Sequence, residues 1–149
     1  MHRRILVPFD GSATSERGLL EAIRMAHAHE GRLVLLHLID DFPTLREFAS
    51  IATLDKIEAR RRQAGQALLD TAASTVKHAQ VSVEGHLLFT RDTLADTIVE
   101  QARQLRCDLI VMGTHGRSGV ARAVIGSVAE GVARHSAVPV LLVPPTAQA

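Results

Sequence analysis

The sequence contains no tryptophan and no tyrosine, and aromatic residues make up only 3% of it. That leaves little from which to build a stacking platform for single-stranded nucleic acid. Charge of one sign is also missing: the formal net charge is +1, which gives no electrostatic field for a nucleic-acid backbone or an anionic membrane. No segment reaches the ~18 consecutive apolar residues that a membrane-spanning helix needs. The apolar run near the start, Ile5 to Val7, stops at Pro8 and is too short for a signal peptide. Cysteine occurs once, as Cys107 at the foot of an apolar run. No disulfide can form within the chain, and nothing nearby in sequence is placed to activate the thiol, so a reduced, unreactive cysteine is expected. These absences point to a cytoplasmic protein with neither nucleic acid nor membrane as partner. There is also no internal repeat and no low-complexity tract.

What is present is an alternation. The chain has 149 residues, 46% of them hydrophobic, enough for one domain spanning residues 1–149 with a full core. Ile5–Val7 reads as a strand buried on both faces. Ser12 is placed to cap a helix with Glu16 in its first turn, and Leu19, Ala22, Ile23 and Ala26 recur at helical spacing until about His29, where Gly31 is expected to stop it. Leu33–Ile39 is the second strand. Asp40 to Thr53, with Pro43, is the least regular stretch. A long helix is expected from about Leu54 to Lys77, with Ile57, Ala64, Leu68, Ala72 and Val76 on one face and Arg60 to Arg62 solvated. Val81–Phe89 is strand three, and Asp92 is expected to cap a helix carrying Leu94, Ile98, Ala102 and Leu105. Leu109–Met112, a helix with Val128 and Val132, and a strand over Val138–Val143 complete the chain. Strands alternating with helices predict an α/β, three-layer fold with five parallel strands and helices on both faces.

The stretch Gly113 to Ser127, GTHGRSGVARAVIGS, connects a strand to a helix through a loop punctuated by glycine. Glycines let backbone N–H groups approach an anion closely, and a helix start adds unsatisfied donors and about half a positive charge. No Lys-Ser/Thr follows the last glycine, so this is not a P-loop, and it is not the GxGxxG dinucleotide fingerprint. Gly113, Gly116, Gly126 and Ser127 match the pattern G-x2-G-x9-G-S/T position for position, and in this the chain resembles the nucleotide-binding members of the universal stress protein family. Val7-Pro-Phe-Asp-Gly-Ser12 and Leu36-His-Leu-Ile-Asp40 extend the resemblance. It implies strand order 3-2-1-4-5, which makes strands one and four neighbours whose crossovers leave to opposite sides. Pro8–Gly11 and Gly113–Gly116 then meet at the resulting crevice.

The resemblance also implies roles. Pro8 would lie against the base or ribose of a bound adenine nucleotide, with Phe9 and Met112 beside it. Asp10 would offer its carboxylate to the ribose or to a phosphate-bound metal such as Mg²⁺; as a plain turn residue it would instead bond its own backbone. Main-chain groups of Leu38 would read the edge of adenine, and His37 is expected to be a packed or capping histidine. The phosphates of ATP, or of ADP or AMP, would lie across the amides of Gly113, Gly116, Gly126, Ser127 and Val128, with the Ser127 hydroxyl capping the last helix as well. Arg117 is a candidate charge clamp, against a solvent-facing role; His115 could act likewise when protonated, against an exposed loop position. Gly126→Val is expected to block nucleotide binding by pushing a side chain into the phosphate path while leaving the fold largely intact. One departure is Phe89-Thr-Arg-Asp-Thr93, where the family often has a Gly-x-Pro turn, and this bears on ligand preference.

The function expected is an adenine-nucleotide-binding regulatory stress protein that hydrolyses slowly or not at all, since no general base is evident and the P-loop lysine is absent. It would form a homodimer through the apolar edge Val140–Val143, which the resemblance implies pairs antiparallel across a two-fold axis, and it would act on a regulatory protein partner. Two other readings stand beside it: a nucleotide-free dimeric interaction module, and an adenylating enzyme on a related fold.

Overall fold

The computed structural model describes residues 3–41, 47, 49–115 and 125–146. Five parallel strands form one sheet: β1 (Arg4–Pro8), β2 (Arg32–Asp40), β3 (Ser82–Thr90), β4 (Leu109–Gly113) and β5 (Val140–Val143). Their order is 3-2-1-4-5. Four helices among the described residues connect them: α1 (Ala13–His29), α2 (Ile51–His78), α3 (Leu94–Gln104) and α4 (Ser127–His135).

The core divides by strand parity. Ile5, Val7, Leu33, Leu35 and Val111 pack with Leu19 and Ala22 of α1 and Leu69, Ala72 and Val76 of α2. Leu6, Val34, Leu36, Ile110 and Met112 pack on the other face with Ile98 and Ala102 of α3 and Ala129 and Val132 of α4. A central strand buried on both faces must be apolar at every position, which is why β1 reads as an unbroken run rather than an alternation. Among the described residues no helix is long and apolar enough to cross a membrane. Cys107 is buried, and burial pushes its thiol up to about 11 against the opposing pull of the Arg4 guanidinium. At neutral pH it is therefore the inert thiol rather than the reactive thiolate.

The pairing is uneven, and this shapes the site. β2 pairs β3 over nine positions, from Arg32↔Ser82 to Asp40↔Thr90. β1 pairs β4 over only two, Ile5↔Leu109 and Leu6↔Ile110. Beyond Leu6 these strands part. The amide of Asp108 donates to the Arg4 carbonyl, whereas that of Phe9 donates to Leu36 in β2. Even-numbered residues of β1 therefore turn their main chain towards β4, and Pro8 faces the gap. Proline in a central strand would normally cost a ladder bond; here its missing N–H lies where the ladder has already ended.

Several local expectations are corrected. The helix over 51–78 buries Gly65, Leu69, Ala72 and Val76, while Ala64 is exposed and Leu68 is half-buried. Its inner face keeps Ala72 and Val76 of the expected stripe and shifts by one residue, to Gly65 and Leu69, in the turns before them. Arg61 donates to the Asp40 carbonyl and Arg62 stacks on Phe89 at 4.8 Å, so the Arg60–Arg62 run is not simply solvated. Thr93, not Asp92, caps α3, its hydroxyl accepting from the Asp96 amide at 3.2 Å. β5 begins at Val140 rather than Val138.

The end of α1 is the most instructive correction. Glu30, not Gly31, takes the left-handed position, with φ 52°, while Gly31 N–H donates to the Ala26 carbonyl at 2.8 Å. Gln80 at φ 61° and Arg106 at φ 53° do the same before β3 and β4. A side chain there meets the Cβ–carbonyl crowding that glycine avoids, so Glu30→Gly is expected to stabilise the protein by about 0.5–1 kcal/mol. Urea unfolding checks this as a higher midpoint at unchanged slope; a lower midpoint would mean that the Glu30 side chain contributes more than its backbone strain costs.

Candidate functional site

The parting of β1 and β4 opens a cavity of about 360 Å³ at the carboxyl ends of the strands. β2 and α3 give it apolar side chains only, Leu36, Leu38, Leu94 and Ile98. Polar groups enter from the β1–α1 loop, from the first turn of α1, from the end of β4 and from the start of α4: Asp10, Ser15, Thr114, His115 and Ser127.

The β1–α1 loop is fixed by its own hydrogen bonds. Asp10 Oδ1 accepts from the Ser12 amide at 2.9 Å, and Gly11 between them sits at φ 81°, where a side chain would be strained. Ser12 then caps α1, its Oγ accepting from the Ser15 amide at 3.2 Å. Asp10 thus has the turn bond of an ordinary loop aspartate while lining the cavity. β2 holds Phe9 at both main-chain groups: the Phe9 amide donates to Leu36 O at 2.8 Å, and the buried His37 ring donates from Nδ1 to Phe9 O at 2.8 Å. His37 is accordingly a packed histidine that positions the loop.

Leu38 follows from parity as well. Arg32 donates to Arg3 and Leu36 accepts from Phe9, whereas Asp41 donates to Thr90 of β3. Even-numbered residues of β2 therefore face β1, and at Leu38 β1 has already turned away. Its N–H and C=O point past the end of β1, towards the crevice.

The start of α4 differs from the other helix starts. Ser12, Ser50 and Thr93 each cap their helix through a side-chain oxygen. α4 has Gly126 at the cap position and no side-chain cap bond. Ser127 is its first helical residue, so the expected capping role of the Ser127 hydroxyl is not found. The Gly126 amide is engaged, donating to the Thr114 carbonyl at 2.7 Å. Glu130 N–H bonds back to Gly126 O, which leaves the amides of Ser127, Val128 and Ala129 as the first-turn donors without an intrahelical acceptor. All three residues line the cavity.

His115 is buried, 6% exposed, not an exposed loop residue. Its Nδ1 lies 3.0 Å from Thr114 Oγ1, and its Nε2 is shut off from solvent with no partner among the described residues.

Pro8, Phe9, Asp10, Leu38, Met112, Gly113, His115, Gly126, Ser127 and Val128 are thus all brought to one cavity. Gly116 and Arg117 lie outside the described residues. Sequence reasoning missed Ser15, Leu36, Leu94, Ile98, Thr114 and Ala129 as lining residues. Leu94 and Ile98 were assigned to the core face of their helix, and only the position of α3 over the end of β2 shows that this face also closes the cavity. Ser15 had a signal, standing three residues after the capping Ser12.

The glycines act through space rather than through dihedral freedom. A Cβ at Gly113 would lie 2.5 Å from Thr14 Cγ2 and 2.9 Å from the Thr14 carbonyl carbon. Gly113 therefore lets the first turn of α1 sit on the end of β4. A Cβ at Gly126 would lie 2.9 Å from Thr114 O, so a side chain there strikes the loop itself. The expectation that Gly126→Val would leave the fold largely intact is corrected accordingly.

An open, doubly wound α/β sheet with its crevice where the strand order reverses is the class to which this architecture belongs. Within that class, the chain belongs to the universal stress protein family, which matches residues 1–144. It is 30% identical over 143 residues to universal stress protein MJ0531 of Methanocaldococcus jannaschii, covering 96% of this chain and 82% of that protein. The solved structure of MJ0577, a universal stress protein of the same organism, is similar with a TM-score of 0.84 at 25% identity, covering 100% of this chain and 99% of that one. A universal stress protein solved in complex with cAMP is similar with a TM-score of 0.71 at 27% identity, covering 97% and 99% of the two chains.

Gly113→Ala is expected to cost about 1–3 kcal/mol of global stability, as overpacking of a fixed helix–strand contact does. Denaturant unfolding measures it, and a loss below about 0.5 kcal/mol would show that the Thr14 turn yields to a methyl group.

Proposed function

We propose that this universal stress protein binds an adenine nucleotide in the β1–β4 crevice and acts as a regulatory protein rather than as a fast enzyme. The observation that carries this reading is the start of α4 with no side-chain cap, whose Ser127, Val128 and Ala129 line the cavity together with His115, whose Nε2 has no partner among the described residues. Unsatisfied amides at a helix start favour a bound anion. A hydrogen bond from such an amide to a charged oxygen contributes on the order of 1.5–3 kcal/mol. The similarity to a family member solved with cAMP supports adenine nucleotide as the ligand class.

In this reading ATP, ADP or AMP lies with its base among Leu38, Leu94 and Ile98, with Pro8, Phe9 and Met112 beside the nucleoside. The Leu38 main chain meets the edge of adenine. The phosphates reach the α4 amides past Gly113, and Gly116 and Arg117 are proposed to complete the phosphate loop. Gly126 contributes by lacking a side chain, since its amide already serves Thr114.

Among the described residues no group of three or more His, Cys, Asp or Glu could hold a metal. That fits Mg²⁺ carried on the phosphates, because Mg²⁺ keeps several waters and takes only one or two protein carboxylates. Asp10 would be that carboxylate, and the ion would supply charge neutralisation. Asp10 and His115 are the titratable groups among the described lining residues, and Asp10 is engaged by its turn. Slow or absent hydrolysis is the corresponding expectation, with binding acting through a difference in affinity between two conformations or two partner states. Cytoplasmic residence belongs to the same proposal.

Denaturing the freshly purified protein and identifying released small molecules by mass spectrometry tests the ligand. ATP, ADP or AMP at near one per chain is expected, or binding of added ATP with Mg²⁺ to a protein purified empty. No binding in that titration would leave the dimeric interaction module as the better reading.

Dimerisation is proposed through β5. Pro139 and Val143 carbonyls accept from β4, so the even-numbered Val140 and Leu142 turn their N–H and C=O outward along an open edge. A second copy can pair there antiparallel. Light scattering is expected to give twice the chain mass of 16.1 kDa; a monomer at every concentration tested would overturn the assignment.

A further inference from the structure

We propose that His115 is the side chain through which this crevice recognises an anionic phosphoryl group, and that binding the group charges its imidazole. The proposal rests on the anion-site reading given above and adds a proton to it. The ring forms part of the cavity wall and is 6% exposed. A Cβ at Gly126 would stand 3.9 Å from His115 Cδ2, which places the ring beside the uncapped start of α4.

Thr114 lets the ring hold either charge state. Its Oγ1 lies 3.0 Å from Nδ1, and a hydroxyl can donate or accept by turning its proton. When it donates, Nδ1 is the acceptor and the neutral ring carries its hydrogen on Nε2. When it accepts, Nδ1 carries a hydrogen, and the ring is either the other neutral tautomer, with Nε2 bare, or the imidazolium, with a hydrogen on both nitrogens. Nε2, which has no partner among the described residues, carries a hydrogen in the imidazolium and in the tautomer to which Thr114 donates, and in both it suits a phosphoryl oxygen.

The surroundings make the charge depend on the ligand. The start of α4 beside the ring presents the positive end of the helix and the amides of Ser127, Val128 and Ala129 to the same cavity. The same cavity wall carries Thr114 at the end of β4, Ser15 of α1 and apolar side chains of α3 and β2. Asp10, on the β1–α1 loop, is the other titratable group among the described lining residues. A bound phosphoryl group reverses the field of the amides, and the imidazole takes up a proton as it binds.

The test is calorimetry on the full chain with cAMP, whose phosphodiester keeps a single charge across the range used, so that any proton taken up belongs to the protein. Titrations in two buffers of different ionisation enthalpy count the protons. Uptake of about half a proton at pH 7 is expected, with binding about five- to tenfold tighter at pH 6 than at pH 8. ATP is titrated in parallel, with its own ionisation subtracted. His115→Gln keeps an N–H donor near the Nε2 position but cannot charge, and should bind with no proton uptake and no pH dependence. In the wild-type protein, the nitrogen chemical shifts of His115 should move from neutral to imidazolium values on adding nucleotide at pH 7, which keeps the test open even for an unfolded variant. Binding without proton uptake, or uptake that persists in His115→Gln, overturns the proposal and leaves the nucleotide reading standing. Failure of both cAMP and ATP to bind at any pH overturns the nucleotide reading and this proposal with it.

Discussion

The rest of the structure depends on the point where β1 and β4 cease to pair. Two positions of pairing, Ile5 and Leu6 with Leu109 and Ile110, hold the strands together at their foot, and beyond that the sheet opens. Pro8 is the residue that makes this inexpensive. Its ring removes the very N–H that would have faced β4, so separating the strands strands no donor. The main chain beyond it is held by β2 instead, through Leu36 O and the His37 ring. The crevice is thus a designed end to one ladder, with the neighbouring ladder intact, and not a gap left by poor packing.

Around that opening the helices divide their tasks. α1, α2 and α3 begin with a Ser or Thr side chain accepting from their own first turn, and each is satisfied without help from outside. α4 begins at Gly126, whose missing side chain does two things at once. It allows the close approach to Thr114 O, where a Cβ would stand 2.9 Å away, and it leaves the amides of Ser127, Val128 and Ala129 without a capping oxygen. Gly113 is needed for a different reason, the seating of α1 on the end of β4. One glycine pattern in the sequence therefore combines a packing requirement with an anion-facing one, and only coordinates separate them.

The sequence made the architecture legible because its signals are redundant. Buried strands such as Ile5–Val7 and Leu33–Ile39 are unbroken apolar runs, and each helix has a periodic face. Where a signal was single, neighbouring residues competed. Asp92 and Thr93 are both good capping residues, and Thr93 has the reach to the Asp96 amide. Gly31 is the better left-handed residue in isolation, but the turn into β2 falls one position earlier, on Glu30. In α2 the pattern through Ala64 and Leu68 is as regular as that through Gly65 and Leu69. The close contact of Gly65 with His37, where a Cβ would lie 2.7 Å from Cδ2, selects the second. The site was legible where it rested on loop glycines and on Pro8-Phe-Asp10. It was not legible at Leu94 and Ile98, whose core face becomes cavity wall only because α3 overhangs the end of β2.

His115 shows why burial has to be known before chemistry can be assigned. By sequence it lies within a polar, glycine-rich loop, where an exposed histidine is the ordinary outcome. The fold places it instead against Gly126 with one nitrogen held by Thr114 and the other sealed from solvent and without a partner among the described residues. A buried donor without an acceptor is costly, and so are helix-start amides that face a cavity without one. The crevice gathers these donors in one small volume, where a single group with several acceptor oxygens could answer all of them. An apolar ligand, or a cation, would leave every one of them unpaired. The proposed selectivity for an anion would therefore lie in the donors the cavity presents, as much as in any contact it already makes.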